Sequence, residues 1–179
     1  VLIDGVDVRD LRMDSLRRDV LLLNGVEMFE GSLADNVSMG RSDVTPSQIR
    51  EALRQVDLLD DVLALPEGLQ THLVAGGAPL SGGQARRLML ARALVARPRL
   101  LLIRETLDTL APDVRSHSLE AILGPEAPWT VVLVSHDRDV IAACDRAIEV
   151  GAGRLMSPGT AMAQARMLSS SAKLGGGAA

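Results

Sequence analysis

With 179 residues, 47% of them hydrophobic, the chain is long enough to bury one substantial core. No apolar run reaches the roughly 18 residues of a membrane-spanning helix, and a net charge of −4 supplies no basic field, so no nucleic-acid partner is expected. The single cysteine, Cys144, excludes a disulfide within the chain and is expected to be a packed small side chain.

Short elements are predicted at the start of the chain. The sequence predicts a strand over residues 1–3, a turn at Asp4-Gly5, a partner strand over residues 6–8 and a helical turn over residues 15–18. Residues 20–23 form a continuous apolar run, which is typical of a strand buried on both faces of a sheet.

The next segment is predicted to be mostly helical. The run Thr45-Pro46-Ser47-Gln48 predicts the start of a helix that continues to about Val56. A second short helix is predicted over residues 58–65. Glycine- and proline-rich turns follow it and lead to residue 80.

A helix is predicted directly after the string Leu80-Ser81-Gly82-Gly83-Gln84. Ser81 and Gln84 have the spacing of a capping box. Three later residues fall on one face and predict an amphipathic helix: Leu88, Ala91 and Val95.

The two glycines in this first turn need an explanation, because glycine costs about 1 kcal/mol relative to alanine in a helix. Its usual compensation is that a ligand can approach the backbone closely. At a helix N-terminus the exposed N–H groups and the dipole favour an anion, and phosphate is the obvious candidate. The alternative is an ordinary capped helix after a glycine-rich turn.

Further apolar strands alternate with helices in the second half of the chain. Residues 100–103 and 129–134 are predicted as buried strands, with a helix over residues 112–123 between them. Residues 147–155 predict a closing hairpin, and residues 160–168 predict a last helix. This alternation indicates a three-layer α/β fold with a mainly parallel core sheet.

The string Leu80-Ser81-Gly82-Gly83-Gln84 before such a helix resembles the signature loop of ATP-binding cassette (ABC) ATPases. The resemblance covers about residues 1–155 of the nucleotide-binding domain and is closest to exporter-type transporters. It implies a P-loop-type core with a helical subdomain inserted between the strands at residues 20 and 100. The implied divisions are part of the core at 1–32, the helical subdomain at 33–79, the signature helix and the rest of the core at 80–158, and a terminal helix with a disordered tail at 159–179.

The resemblance assigns roles to two strand ends. Asn24 stands where the family usually has a glutamine that touches the metal and the attacking water, and a plain strand-end asparagine is the alternative. Arg104 replaces the aspartate that would hold Mg²⁺ beside the triphosphate. An arginine repels the metal by about 4 kcal/mol per charge at 4 Å in an effective dielectric of 20, so Mg²⁺ binding in the chain's own site should be badly weakened.

Three further positions are assigned in the same way. Glu105 corresponds to the general base that activates water, and an ion pair to Arg104 is the alternative. His136 corresponds to the switch histidine at the γ-phosphate, and a structural role is the alternative. Ala111 replaces a D-loop aspartate, so the next helix should lack its N-cap. The predicted catalytic residues are therefore Glu105 and His136, the nucleotide-contacting residues are Ser81, Gly82, Gly83, Gln84 and Asn24, and no metal ligand is predicted.

The phosphate-cradling string G-x-x-x-x-G-K-[ST] does not occur, and the only lysine is Lys173. In the family a stretch like Ile3-Asp4-Gly5 follows the P-loop by some tens of residues. We therefore expect the P-loop to lie upstream of Val1.

In this family two domains meet head to tail, and each ATP lies between the P-loop of one and the signature loop of the other. The resemblance implies ATP and Mg²⁺ as cofactors, a second nucleotide-binding domain and a transmembrane domain as partners, and a location on the cytoplasmic face of a bacterial cell membrane. Because the signature residues are intact while Asn24 and Arg104 depart from the pattern, we expect a degenerate half-site that completes its partner's active site and does not hydrolyse ATP independently. An inactive truncated cassette and a non-transport ABC ATPase are the alternatives.

Overall fold

The computed structural model describes residues 1–155. The chain divides into two compact units, Val1–Val134 and Ser135–Ala179. The helix predicted over residues 160–168, the division at 159–179 and Lys173 lie outside the described residues. Within residues 1–155, no helix is both long and apolar enough to cross a membrane.

The elements of the first unit are, in chain order, β1 (Leu2–Ile3), β2 (Val6–Asp7), α1 (Met13–Asp19), β3 (Val20–Asn24), β4 (Gly31–Ser32), α2 (Leu33–Ser38), α3 (Pro46–Gln55), α4 (Leu59–Leu63), a 3-10 turn (Gly68–Gln70), β5 (His72–Leu73), α5 (Gly82–Ala96), β6 (Leu100–Arg104), α6 (Pro112–Leu123) and β7 (Thr130–Val134). The described part of the second unit contains α7 (Arg138–Ala142), β8 (Val150–Gly151) and β9 (Arg154–Leu155). The predicted antiparallel pairing at the N-terminus is present between β1 and β2, and the predicted closing hairpin is present between β8 and β9.

A parallel sheet with the strand order β3-β6-β7 forms the centre of the first unit. The helices α2 to α5 lie along the chain between β3 and β6, and α6 lies between β6 and β7. Parallel neighbours require such crossover segments, since a tight hairpin can join only antiparallel strands. The predicted α/β fold with a mainly parallel core sheet is confirmed.

The two faces of this sheet differ in burial. Leu23 and Ile103, which are register partners, are 1% and 2% exposed, whereas Leu22 and Val132 on the opposite face are 58% and 51% exposed. Successive side chains of a strand point to opposite sides, and the side that carries Leu22 and Val132 is exposed. The prediction that residues 20–23 are buried on both faces is therefore wrong, because an apolar run does not reveal whether both faces are covered. The prediction of a buried strand at residues 129–134 is wrong for the same reason, since no residue of β7 is fully buried.

The helix α5 is surrounded by α2, α3 and α6, all of which contact it. The amphipathic pattern predicted for this helix is wrong, because buried side chains occur around most of its circumference: Ala85, Leu88, Met89, Leu90, Ala91, Arg92, Ala93 and Leu94. A helix that packs on several sides is apolar on several sides. The packing therefore fixes the direction in which its N-terminus points.

The capping residues explain where the neighbouring helix begins. Thr45 caps α3 at the predicted position, and its side chain and that of Gln48 satisfy each other's backbone N–H groups. The helix then buries Ile49, Ala52 and Leu53. The limits of a helical subdomain at 33–79 stay a prediction.

Arg92 is a buried charged residue in α5, with 5% of its surface exposed. Its Nε donates to the carbonyl of Asn36 at 2.7 Å and its Nη1 donates to the carbonyl of Glu27 at 2.9 Å, while the guanidinium lies 5.7 Å from the ring centroid of Phe29. Burial lowers the pKa of Arg92. These contacts attach the segment after β3 directly to α5.

Candidate functional site

The string 80–84 forms a capped helix start. Ser81 is the N-cap of α5, and its Oγ accepts a hydrogen bond from the backbone N–H of Gln84 at 3.3 Å. In return, Oε1 of Gln84 accepts from the backbone N–H of Ser81 at 2.9 Å. The predicted capping box is therefore present, and it fixes the backbone of the first turn.

The tip of this helix, which we call the α5 tip (Ser81, Gly82 and Gly83), is exposed. Among the described residues, a Cβ placed on Gly83 would meet no heavy atom within 4 Å, and one on Gly82 would meet only the end of the Arg86 side chain, at 3.3 Å. No close backbone contact within residues 1–155 therefore requires glycine here. Backbone N–H groups at a helix N-terminus attract anions, and glycine lets such a ligand approach them closely.

A second feature, which we call the cleft, lies where β3 and β6 end. Asn24 and Arg104 are register partners at these ends. The cleft has a volume of about 300 Å³ and is lined by Asn24, Gly25, Arg86, Arg104, Glu105, Thr106 and Thr109. Ligands of open parallel sheets bind at the carboxyl ends of the strands, so this is a position where an α/β fold places a site.

Glu105 has an unusual backbone conformation at the edge of this cleft. Its φ is +53°, and its N–H donates to the carbonyl of Val134 at 2.9 Å. A residue other than glycine in the left-handed region is held there at a cost of about 1–3 kcal/mol, and such residues cluster at functional sites. Asp57 has the same φ of +53°, so this conformation alone assigns no role and the role of Glu105 stays a prediction.

The structure thus brings the predicted residues together in two groups. Ser81, Gly82, Gly83 and Gln84 lie at the start of α5, and Asn24 and Glu105 line the cleft with Arg104. Arg86 connects the two groups, because it belongs to the first turns of α5 and also lines the cleft.

Sequence reasoning missed Arg86, Gly25, Thr106 and Thr109 as lining residues. Gly25, Thr106 and Thr109 follow the ends of parallel strands. The rule that ligands bind at the carboxyl ends of such strands could have found them. The position of Arg86 depends on how α5 packs against the sheet, which has no signal along the sequence.

Comparison with known proteins identifies the family. A family model described as ABC transporter matches residues 1–108. The chain belongs to the ABC transporter family. It is 37% identical over 161 residues to a multidrug efflux ATP-binding/permease protein of Mycobacterium bovis, a match that covers 89% of this chain and 14% of that protein. An ABC multidrug transporter of Trichophyton interdigitale is 37% identical over 165 residues, with 89% of this chain and 12% of that protein covered.

A solved structure agrees with these matches. A bacterial Atm1-family ABC exporter with ATP bound superposes with a TM-score of 0.83 and 25% sequence identity, over 99% of this chain and 32% of that one. The chain spans 14% and 12% of the lengths of the two curated relatives. The resemblance to exporter-type ABC domains is confirmed.

ABC transporters use ATP and Mg²⁺ as a family, but the cleft residues do not fit the metal. Arg104 lines the cleft at the position where the resemblance to the family implies an aspartate ligand. A divalent cation would face a positive charge there instead of an oxygen ligand.

Two other positions of the ABC pattern can be described. Ala111 is the N-cap residue of α6 and provides no side-chain hydrogen bond, which agrees with the expected loss of a cap. His136 belongs to the second unit, is exposed, and precedes Asp137, whose side chain caps α7. The roles of His136 and of the other predicted site residues stay predictions.

Proposed function

We propose that this chain is part of an exporter's ATP-binding domain and that its α5 tip binds the γ-phosphate of an ATP held by a second nucleotide-binding domain. The observation that carries the proposal is the exposed, capped tip at Ser81, Gly82 and Gly83. Several backbone N–H groups of the first helical turn have no partner in the helix ladder. They would meet the terminal phosphate together with the dipole of α5.

Packing makes this tip a firm support for a phosphate. The helix behind it is buried by α2, α3 and α6, and the capping box holds Ser81 in place. A preorganised donor group stabilises charge without rearranging at the moment of reaction. The tip is therefore suited to complete an active site on a partner.

The cleft is proposed to be the chain's own, degenerate half-site. Arg104 stands where an oxygen ligand is needed, and Asn24 is shorter than the family's glutamine. Weak Mg²⁺ binding removes the charge neutralisation that phosphoryl transfer requires. ATP bound here would turn over slowly or not at all, even if Glu105 is competent as a base.

The remaining parts of the proposal follow from the relatives. Those proteins are named as multidrug transporters and as an exporter. We therefore infer a transmembrane domain and a second nucleotide-binding domain as partners, at the cytoplasmic face of a bacterial membrane. The division into core (1–32 and 80–158) and helical subdomain (33–79) belongs to the same proposal.

The test measures the ATPase rate of a mixed pair of nucleotide-binding domains. One domain contains this chain within its transporter, and the other is a partner domain that has complete nucleotide-binding motifs. Ser81→Arg should abolish hydrolysis at the partner's nucleotide, because a long cation at the N-cap removes the cap and blocks the tip. Ser47→Arg is the matched control, since Ser47 is also an exposed serine at a helix start. Unchanged hydrolysis with Ser81→Arg, or an equal loss with Ser47→Arg, would reject the proposal.

A further inference from the structure

The cleft is positively charged. Arg86 and Arg104 contribute two guanidinium groups and Glu105 contributes one carboxylate, so the charged lining residues sum to +1 (2 − 1). Among residues 1–155, neither guanidinium forms an ion pair or a side-chain hydrogen bond. The two residues come from separate elements, α5 and β6, and both line the cleft of about 300 Å³.

Guanidinium groups are well matched to phosphate oxygens. Each presents several N–H donors in a plane, stays charged at all ordinary pH values, and pairs with phosphate in a bidentate geometry. The amide of Asn24 adds a donor at the same edge. The hydroxyls of Thr106 and Thr109 instead donate to backbone carbonyls, of Arg104 and Thr106 respectively. The positively charged donors of the cleft are therefore its two arginines.

We propose that the cleft binds a polyphosphate group without a divalent cation, and that Arg104 supplies the positive charge that Mg²⁺ would otherwise carry. The same substitution that weakens a metal site creates an anion site, because a positive charge repels one and attracts the other. The inference rests on the proposed function in one respect, namely that the natural ligand is the triphosphate of a nucleotide in the chain's own half-site.

The probe is inorganic tripolyphosphate, titrated into the full chain by calorimetry, first with EDTA and then with Mg²⁺. Binding should occur in EDTA and should weaken when Mg²⁺ neutralises the ligand. Arg104→Gln and Arg86→Gln should each weaken binding about tenfold, as expected for loss of a charge-assisted contact. Arg18→Gln, at a side chain that is 75% exposed, is the matched control and should bind as the unmodified chain does.

Two further variants address the charge at position 104. Arg104→Lys keeps the charge but loses the bidentate geometry. Its affinity for tripolyphosphate should therefore lie between the affinities of Arg104→Gln and of the unmodified chain. Arg104→Asp should bind no tripolyphosphate in EDTA and should gain binding when Mg²⁺ is added. Protection against thermal unfolding by tripolyphosphate, with circular dichroism as a check on folding, gives an independent measurement for each variant.

ATP and adenosine identify the source of the phosphate. ATP that binds as tightly as tripolyphosphate or more tightly, with loss in Arg104→Gln and no binding of adenosine, supports the proposal. Tripolyphosphate binding that requires Mg²⁺ overturns the proposal. Binding that weakens as much in Arg18→Gln as in Arg104→Gln also overturns it. The effect of Ser81→Arg is measured at the partner's nucleotide, so a failure of this inference and a failure of the proposed function are separate results.

Discussion

Asn24 and Arg104 end neighbouring parallel strands as register partners, and both side chains are exposed on the same face of the sheet. This face is opposite to the one that carries Leu23 and Ile103 in the core. An amide and a guanidinium, rather than an amide and a carboxylate, therefore end β3 and β6. We propose that this difference keeps the half-site from hydrolysing ATP.

Glu105→Gln should leave ATP hydrolysis by the mixed pair within about twofold of the unmodified rate. The reason is that the proposed half-site containing Glu105 should bind Mg²⁺ weakly and should therefore contribute little turnover. The measurement is the steady-state rate of phosphate release, compared with the same substitution at the partner's general base, which should abolish it. A large loss from Glu105→Gln would show that this half-site is catalytic.

Arg92→Ala should destabilise the first unit by about 2–4 kcal/mol, because it creates a cavity and leaves the carbonyls of Glu27 and Asn36 without their donor. Arg50→Ala, an exposed arginine on α3, is the matched control and should change stability by less than about 0.5 kcal/mol. Urea denaturation gives both values. Equal stabilities of the two variants would mean that the buried contacts of Arg92 contribute nothing net.

Ala111→Asp should stabilise the chain by about 1 kcal/mol, since it adds a side-chain acceptor at the uncapped start of α6. The backbone at Ala111, with φ −60° and ψ 147°, already has the extended conformation of an N-cap. Ala75→Asp places the same charge in an exposed turn and serves as the control. A melting temperature that rises equally in both variants would indicate a general charge effect instead of capping.

Stability should depend on pH through His117 and Asp57, whose Nδ1 and Oδ2 atoms lie 2.6 Å apart. The hydrogen bond to Asp57 raises the pKa of His117 in the folded chain. The folded state then binds the proton more tightly than the unfolded state, so the stabilisation is complete below the ordinary histidine pKa and is lost as pH rises through the folded value.

His117→Asn should remove this dependence, and Asp57→Asn should lower the pKa of His117 that NMR titration reports. Asn tolerates the left-handed backbone at position 57, where φ is +53°. The comparison uses the free energies of unfolding of the unmodified chain and of His117→Asn, measured at several pH values above the ordinary histidine pKa. If the free energy of unfolding of the unmodified chain does not fall relative to that of His117→Asn over this range, the prediction is contradicted.

Local signals in the sequence predicted much of the backbone. The capping pairs Thr45 with Gln48 and Ser81 with Gln84 depend only on residues three apart, and the alternation of strands and helices indicated the parallel sheet. Long-range packing could not be predicted in this way. Arg92 is separated from Asn36 by 56 residues, and a charged residue in a helix gives no sign that distant carbonyls will surround it.

For the candidate site, the sequence predicted where its residues lie and not their roles. The positions of the tip residues at a helix start and of Glu105 after a strand were predictable, whereas Arg86 lines the cleft only because of the way in which α5 lies against the sheet. Burial of α5 on several sides likewise depends on three separate helices. A one-dimensional pattern cannot report how many neighbours a helix has.

The uncovered face of the β3-β6-β7 sheet has a practical consequence for handling the chain in solution. Leu22, Val132 and Val134 place hydrocarbon against water there, with 58%, 51% and 52% of their surfaces exposed. Such patches promote self-association, and salts that are excluded from protein surfaces strengthen it. Light scattering should therefore rise with protein concentration and with added sulfate, and a Val132→Lys substitution should delay the onset of turbidity.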